Sequence, residues 1–142
     1  MLVRPDEGRV ADLGAVTMRV LASGDDAGKG AFTLAEFAGS AGAWTVPHIH
    51  QGMEESFFVL DGDFTFTFGE QPVVAATGSY LLVPRGTRHT IRAEEGGGRL
   101  LTLMVPGGLE EMFFELAQLP PGALTDPKIR AAISAKYDSI PS

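Results

Sequence analysis

The chain has 142 residues, 44% of them hydrophobic and 20% charged, with a formal net charge of −7 and no cysteine. Those values predict one soluble globular domain over residues 1–142, large enough to bury a core. They exclude disulfides, thiolate catalysis and zinc ribbons, and the acidic balance with scattered Lys and Arg argues against a nucleic-acid partner.

From residue 15 to 105 the texture is short apolar runs broken by glycine, proline and acidic turns, which reads as a sandwich or barrel of short strands. Candidate strands, in chain order, are residues 15–21, 31–37, 43–50, 56–60, 64–68, 79–83, 89–93 and 100–105. The clearest is Phe64-Thr65-Phe66-Thr67-Phe68, whose period of two puts three Phe on one face and two Thr on the other. The separators are residues 23–30, 69–72, 84–86 and 96–98. The first of them, with Lys29 among glycines, has the wrong spacing for a phosphate loop and reads as a hairpin connection.

Texture changes after Pro106-Gly107-Gly108. Leu109, Met112, Phe113 and Leu116 recur at helical spacing until Pro120-Pro121 ends the run. A second helix starts at Asp126, a good N-cap, with Pro127 at the first helical position and Ile129, Ile133 and Tyr137 on its apolar stripe. The chain is therefore all-β with a C-terminal helical extension, a barrel core over about 15–105 and helices over about 109–138. No apolar run reaches the length of a signal peptide or a membrane span, so no membrane partner and a cytoplasmic location are expected.

All three histidines fall in two patterns. One is Gly42, five residues, His48-Ile49-His50, four residues, Glu55, six residues, Gly62; the other is Gly78, five residues, Pro84, one residue, Gly86, two residues, His89. On a strand, His48 and His50 point to one face and share it with Trp44 and Val46. Two imidazoles so spaced can bind one ion. A carboxylate must come from a neighbouring strand. Strand parity leaves Glu54 and Glu55 both open, and only Glu55 has six residues between it and Gly62. With nitrogen and oxygen donors alone, such a site suits one divalent transition metal per chain: Fe, Mn, Ni, Co, Cu or Zn.

The two patterns resemble the two motifs of the cupin superfamily, over roughly residues 31–105. Ala93 stands where that family often has an asparagine, a position that binds no metal. The fifteen residues between Gly62 and Gly78 resemble the compact spacing of small bacterial cupins. The resemblance implies a double-stranded β-helix, a jelly-roll barrel with the metal inside. It implies His48, His50, Glu55 and His89 as ligands. The tail from Val105 through Phe114 to Tyr137 is similar to that of small cupins compared with quercetin dioxygenases, and holds no reactive group of its own.

By the same resemblance, Glu55 is a catalytic residue that takes a substrate proton as general base. Trp44, Phe57, Phe66 and Met104 are the expected walls of a pocket for a planar substrate, with Tyr80 a weaker candidate. Arg85 and Arg88 read as solvated. Three functions compete: an oxygenase acting on a small aromatic or enolic compound, a non-redox cyclase or isomerase, and a small-molecule-binding cupin without catalysis. A homodimer is expected, from the resemblance and from strand edges that need cover.

Overall fold

The computed structural model describes residues 1–23 and 30–142; most of the 23–30 connection lies outside that range. Among the described residues, twelve strands form two sheets. They are β1 (Val10–Asp12), β2 (Val16–Ala22), β3 (Thr33–Gly39), β4 (Gly42–Ala43), β5 (His48–Ile49), β6 (Glu54–Asp61), β7 (Phe64–Phe68), β8 (Gln71–Ala75), β9 (Tyr80–Val83), β10 (His89–Ala93), β11 (Gly98–Val105) and β12 (Ile140–Pro141). The first sheet runs β1-β2-β3-β11-β6-β9 and the second β12-β5-β10-β7-β8, with β4 also paired to β10. Every pairing is antiparallel. This is the jelly-roll expected of the sequence.

The period-two pattern does what it predicts. Phe64 and Phe66 on β7 are fully buried between the sheets with Phe57, Val59, Val83, Ile91 and Leu100. Side chains of that size each contribute roughly 2–3 kcal/mol on burial. A second core, richer in methionine, joins Met18, Met53 and Met104 of the barrel to Leu109, Met112, Leu116 and Ile133 of the tail. The helices α1 (Glu110–Ala117), α2 (Pro121–Leu124) and α3 (Pro127–Ala135) therefore pack on the barrel rather than standing free. Asp126 caps α3 as expected, its carboxylate accepting from the backbone N–H of Lys128 and Ile129.

Several expectations are corrected. Residues 43–50 are not one strand. Pairing breaks between Ala43 and His48, where Pro47 offers no N–H to a ladder. Val46, expected inside by parity with His48, is largely exposed. β8 occupies residues partly assigned to a turn; it is an edge strand, exposed except at Ala75, and it tolerates Pro72 for that reason. β1 and β12 were too short to show a period.

The motif glycines have a structural cause. Gly62 sits at φ +83°, and a Cβ there would lie 2.3 Å from the carbonyl oxygen of Gly97. Only glycine meets both demands. Gly42, Gly78 and Gly86 also adopt positive φ.

Candidate metal centre and its cavity

The two sheets deliver the four motif residues to one place. His48 on β5 and His89 on β10 are direct cross-strand partners in the second sheet. Glu55 comes from β6 of the first sheet, between Met104 of β11 and Val83 of β9. His50 follows β5 by one residue. All four side chains are buried. Imidazole nitrogens of His48, His50 and His89 lie within 4.8 Å of one another, and the ring centroids of His48 and His89 are 4.2 Å apart. Glu55 Oε1 is 3.2 Å from His50 Nε2, and Oε2 is 3.6 Å from His89 Nε2. Glu54, by contrast, points out of this cluster, opposite Val105, and is only half-buried.

Each imidazole is oriented by its other nitrogen. His48 Nδ1–H donates to the Val46 carbonyl at 2.8 Å, His89 Nδ1–H to that of Thr87 at 2.9 Å, and His50 Nδ1–H to that of Asp138 at 2.8 Å. A proton fixed on Nδ1 leaves the Nε2 lone pair free. His50 Nε2 and His89 Nε2 are buried and have no hydrogen-bond partner. With the proton on Nδ1, the Glu55 oxygens 3.2 and 3.6 Å away face them as acceptors rather than donors. Orphaned buried acceptors are rare and call for a missing partner. Three neutral imidazole lone pairs and a carboxylate facing the same space suit a divalent cation, so the residues present fit a metal.

The electrostatics are uneven. Burial, and then the neighbouring His89, push His48 down to about 4. Burial also acts to lower His50, but the Glu55 carboxylate beside it outweighs this and raises its pKa. Burial acts to raise Glu55, and the imidazoles of His50 and His89 overcome this and hold it down at about 2. Glu55 is thus ionised at neutral pH, on the His50 and His89 side of the cluster.

A cavity of about 580 Å³ opens on His48, His50 and Glu55, a size typical of small-molecule sites. Of the expected wall residues, Trp44 and Phe57 line it. Phe66 and Met104 do not. Phe66 is fully buried against Phe57, Phe64 and Phe68, and Met104 is fully buried in the methionine-rich core. Tyr80 is exposed on β9 and does not line this cavity. Parity identifies inward side chains and cannot separate those facing the cavity from those facing another side chain.

Much of the wall comes from the tail, which the sequence showed as devoid of chemistry. Met112, Phe113 and Leu116 of α1 and Arg130 and Ser134 of α3 line the cavity. Phe113 meets Phe37 edge-on, ring centroids 5.1 Å apart. The helical spacing of Met112, Phe113 and Leu116 signalled an apolar face but not what it covers. Asp138 accepts from His50 through its carbonyl, and Ser139 lines the cavity. Nothing in the spacing of the two motifs points to them. Arg88, read as solvated, donates to the hydroxyl of Ser142 and the carbonyl of Gly69.

Among curated relatives, quercetin 2,3-dioxygenase of Bacillus subtilis is 27% identical over 128 residues, covering 86% of this chain and 38% of that protein. Quercetin 2,3-dioxygenase of Aspergillus japonicus is 33% identical over 76 residues, covering 50% of this chain and 22% of that protein. The chain thus spans well under half the length of these relatives. Among solved structures, KdgF from Halomonas sp. superposes with a TM-score of 0.68 at 17% identity, covering 78% of this chain and 97% of that one. The polyketide cyclase RemF from Streptomyces resistomycificus superposes with a TM-score of 0.63 at 24% identity, covering 84% and 94%. The cupin domain model matches residues 35–106, half of the chain, including both histidine motifs. The chain belongs to the cupin family.

Proposed function

We propose that this protein is an oxygenase that holds one divalent transition metal on His48, His50, Glu55 and His89 and acts on a small aromatic or enolic compound. The observation that carries the reading is the pair of buried, unpartnered Nε2 atoms beside an ionised Glu55, at the end of an apolar cavity. The similarity to quercetin dioxygenases points the same way. A bound divalent metal with open positions supplies Lewis acidity and, for Fe, Mn, Ni, Co or Cu, one-electron chemistry.

The chain's own residues do the rest. Trp44, Phe57, Phe37 and Phe113 offer aromatic faces to a planar ring and exclude water. Glu55 is the proton acceptor. Its carboxylate, held low by His50 and His89, is a weak base and suits an acidic hydroxyl such as that of a phenol or an enol. Arg130 is the basic side chain on the wall and suits an anionic substituent at the far end of the ligand.

A second reading, a non-redox cyclase or isomerase, is favoured by the structural likeness to the polyketide cyclase. Metal content and oxygen uptake separate the two. Near-stoichiometric Fe, Mn, Ni, Co or Cu in the purified protein, with oxygen consumed on adding a flavonol, catechol or enolic diketone, is expected for the oxygenase. Stoichiometric zinc with turnover under anaerobic conditions overturns it in favour of the cyclase.

The protein also works as a homodimer in this proposal. Phe58, Tyr80, Leu82 and Leu103 form an exposed apolar patch on the outer face of the first sheet, on neighbouring strands. Light scattering is expected to give twice the chain mass for the wild type and the chain mass for Leu82→Asp. A monomeric wild type removes the dimer.

A further inference from the structure

The residue that orients His50 lies 88 positions away, at the end of α3. There the N–H of Ser139 reaches back to the carbonyl of Ser134, the bond that closes a helix through a left-handed residue. That residue is Asp138, at φ 58°; it is the one non-glycine residue in the left-handed region among the described residues. Glycine is the usual occupant of such a position, and a side chain there is strained. Aspartate is among the few side chains tolerated there, but a structural stop alone would still favour glycine, so its presence asks for a further reason.

The contacts of Asp138 give one. Its carboxylate oxygens accept the backbone N–H of Gln51 at 2.9 Å and of Gly52 at 2.7 Å, the turn directly after His50. Its own carbonyl accepts His50 Nδ1–H at 2.8 Å. One residue thus holds both the ring of His50 and the backbone that carries it. The segment beyond continues the grip. Ile140 and Pro141 pair with Ile49 and His48, and the N–H of Ser142 donates to the carbonyl of Pro47.

We propose that Asp138 is a positioning residue for the metal centre, fixing the tautomer and the orientation of His50 through its carbonyl and its carboxylate together. The proposal rests on the reading of His48, His50, Glu55 and His89 as a metal site. It has a consequence that a purely structural role lacks. Asp138→Gly relieves the backbone strain and retains the carbonyl, yet releases Gln51 and Gly52, which water can then satisfy. In the metal-free variant the relieved strain and the two lost carboxylate hydrogen bonds act in opposite directions on the melting temperature, while metal binding weakens.

The test is titration of the metal-free full chain with Co(II), read by its visible absorption, alongside thermal melts of the same metal-free samples. Relative to wild type, the Co(II) dissociation constant should rise about 3–10-fold in Asp138→Gly, less than loss of a direct outer partner costs because the carbonyl to His50 remains, and more than the backbone-only partners of His48 and His89 would show because the carboxylate grip on Gln51 and Gly52 is lost. The d–d band should shift as the His50 ring moves. Asp138→Asn, which tolerates the left-handed conformation and still accepts one of the two N–H groups, should fall between the two. Equal affinity and an unchanged band in Asp138→Gly overturn the proposal, whatever the melting temperature. A lowered melting temperature with unchanged affinity also overturns it. A wild type that binds no Co(II) instead overturns the metal site itself, which His50→Ala as a reference distinguishes.

Discussion

His48 and His89 take their orientation from the strands on which they sit, and His50 takes its orientation from the other end of the chain. The first two donate to carbonyls two residues upstream, Val46 and Thr87. Both carbonyls lie in the segments that lead directly into β5 and β10. His50 donates to Asp138, and its geometry depends on a helical tail having docked. One half of the site is thus local to the barrel, and the other is assembled only in the complete fold. Long-range contacts of this kind are slower to form and easier to lose.

The largest effect should come from removing a ligand of the local half. Deleting an outer partner of a metal ligand costs about 10–100-fold in affinity, and His89→Ala, which deletes an imidazole itself, should cost more than that in Co(II) titration. An affinity within threefold of wild type would place the ligands elsewhere.

Next comes the response of the metal-free protein to acid. His48 titrates near 4 when folded and near 6.5 when unfolded. Between those values the unfolded chain binds the proton and the folded chain does not. Its contribution to stability is therefore lost as pH falls from 6.5 to 4, by on the order of 3 kcal/mol. Glu55, lowered from 4.5 to about 2, adds a further loss as pH falls through that interval. His50, raised by Glu55, acts in the opposite sense, adding stability at low pH that fades as pH rises above its raised value. Chemical denaturation of wild type and His48→Gln at pH 7 and pH 5 measures the first of these. The variant should show the smaller decrease, and an equal decrease would locate the acid sensitivity elsewhere.

The smallest effects sharpen the contrast. Val46→Ala and Thr87→Ala keep the carbonyls that hold His48 and His89, so each should leave Co(II) affinity within about twofold, as expected when the oriented hydrogen bond survives. Glu54→Ala should do likewise, because Glu54 faces away from the cluster. A large loss for Glu54→Ala with none for Glu55→Ala would reverse the carboxylate assignment.

The same division explains what could be read in the sequence. Gly42, Gly62, Gly78 and Gly86 mark the turns that frame the histidines, because positive φ admits little else. The barrel strands were legible wherever one face is buried and the other wet, as in Phe64 to Phe68. β8 escaped because an edge strand has no buried face to impose alternation. Phe66 and Met104 were placed inside correctly and on the cavity wall wrongly, since alternation carries no information about what lies opposite. Met112, Phe113 and Leu116 were visible as a helix stripe, but their role as cavity wall depends on where the helix docks. Asp138 had no signal at all: an aspartate after a helix is ordinary, and its 88-residue reach to His50 exists only in three dimensions.

The edge that hid β8 also protects the molecule. A sheet ends in a row of unsatisfied donors and acceptors, and an extended segment from another chain can dock there and propagate. Val73 and Val74, both exposed, would invite such growth. Pro72 directly precedes them on the strand and has no N–H to offer. An incoming strand meets a gap in the ladder at that point, so the second sheet resists fibre-like extension from this side at the very place where its composition would otherwise promote it.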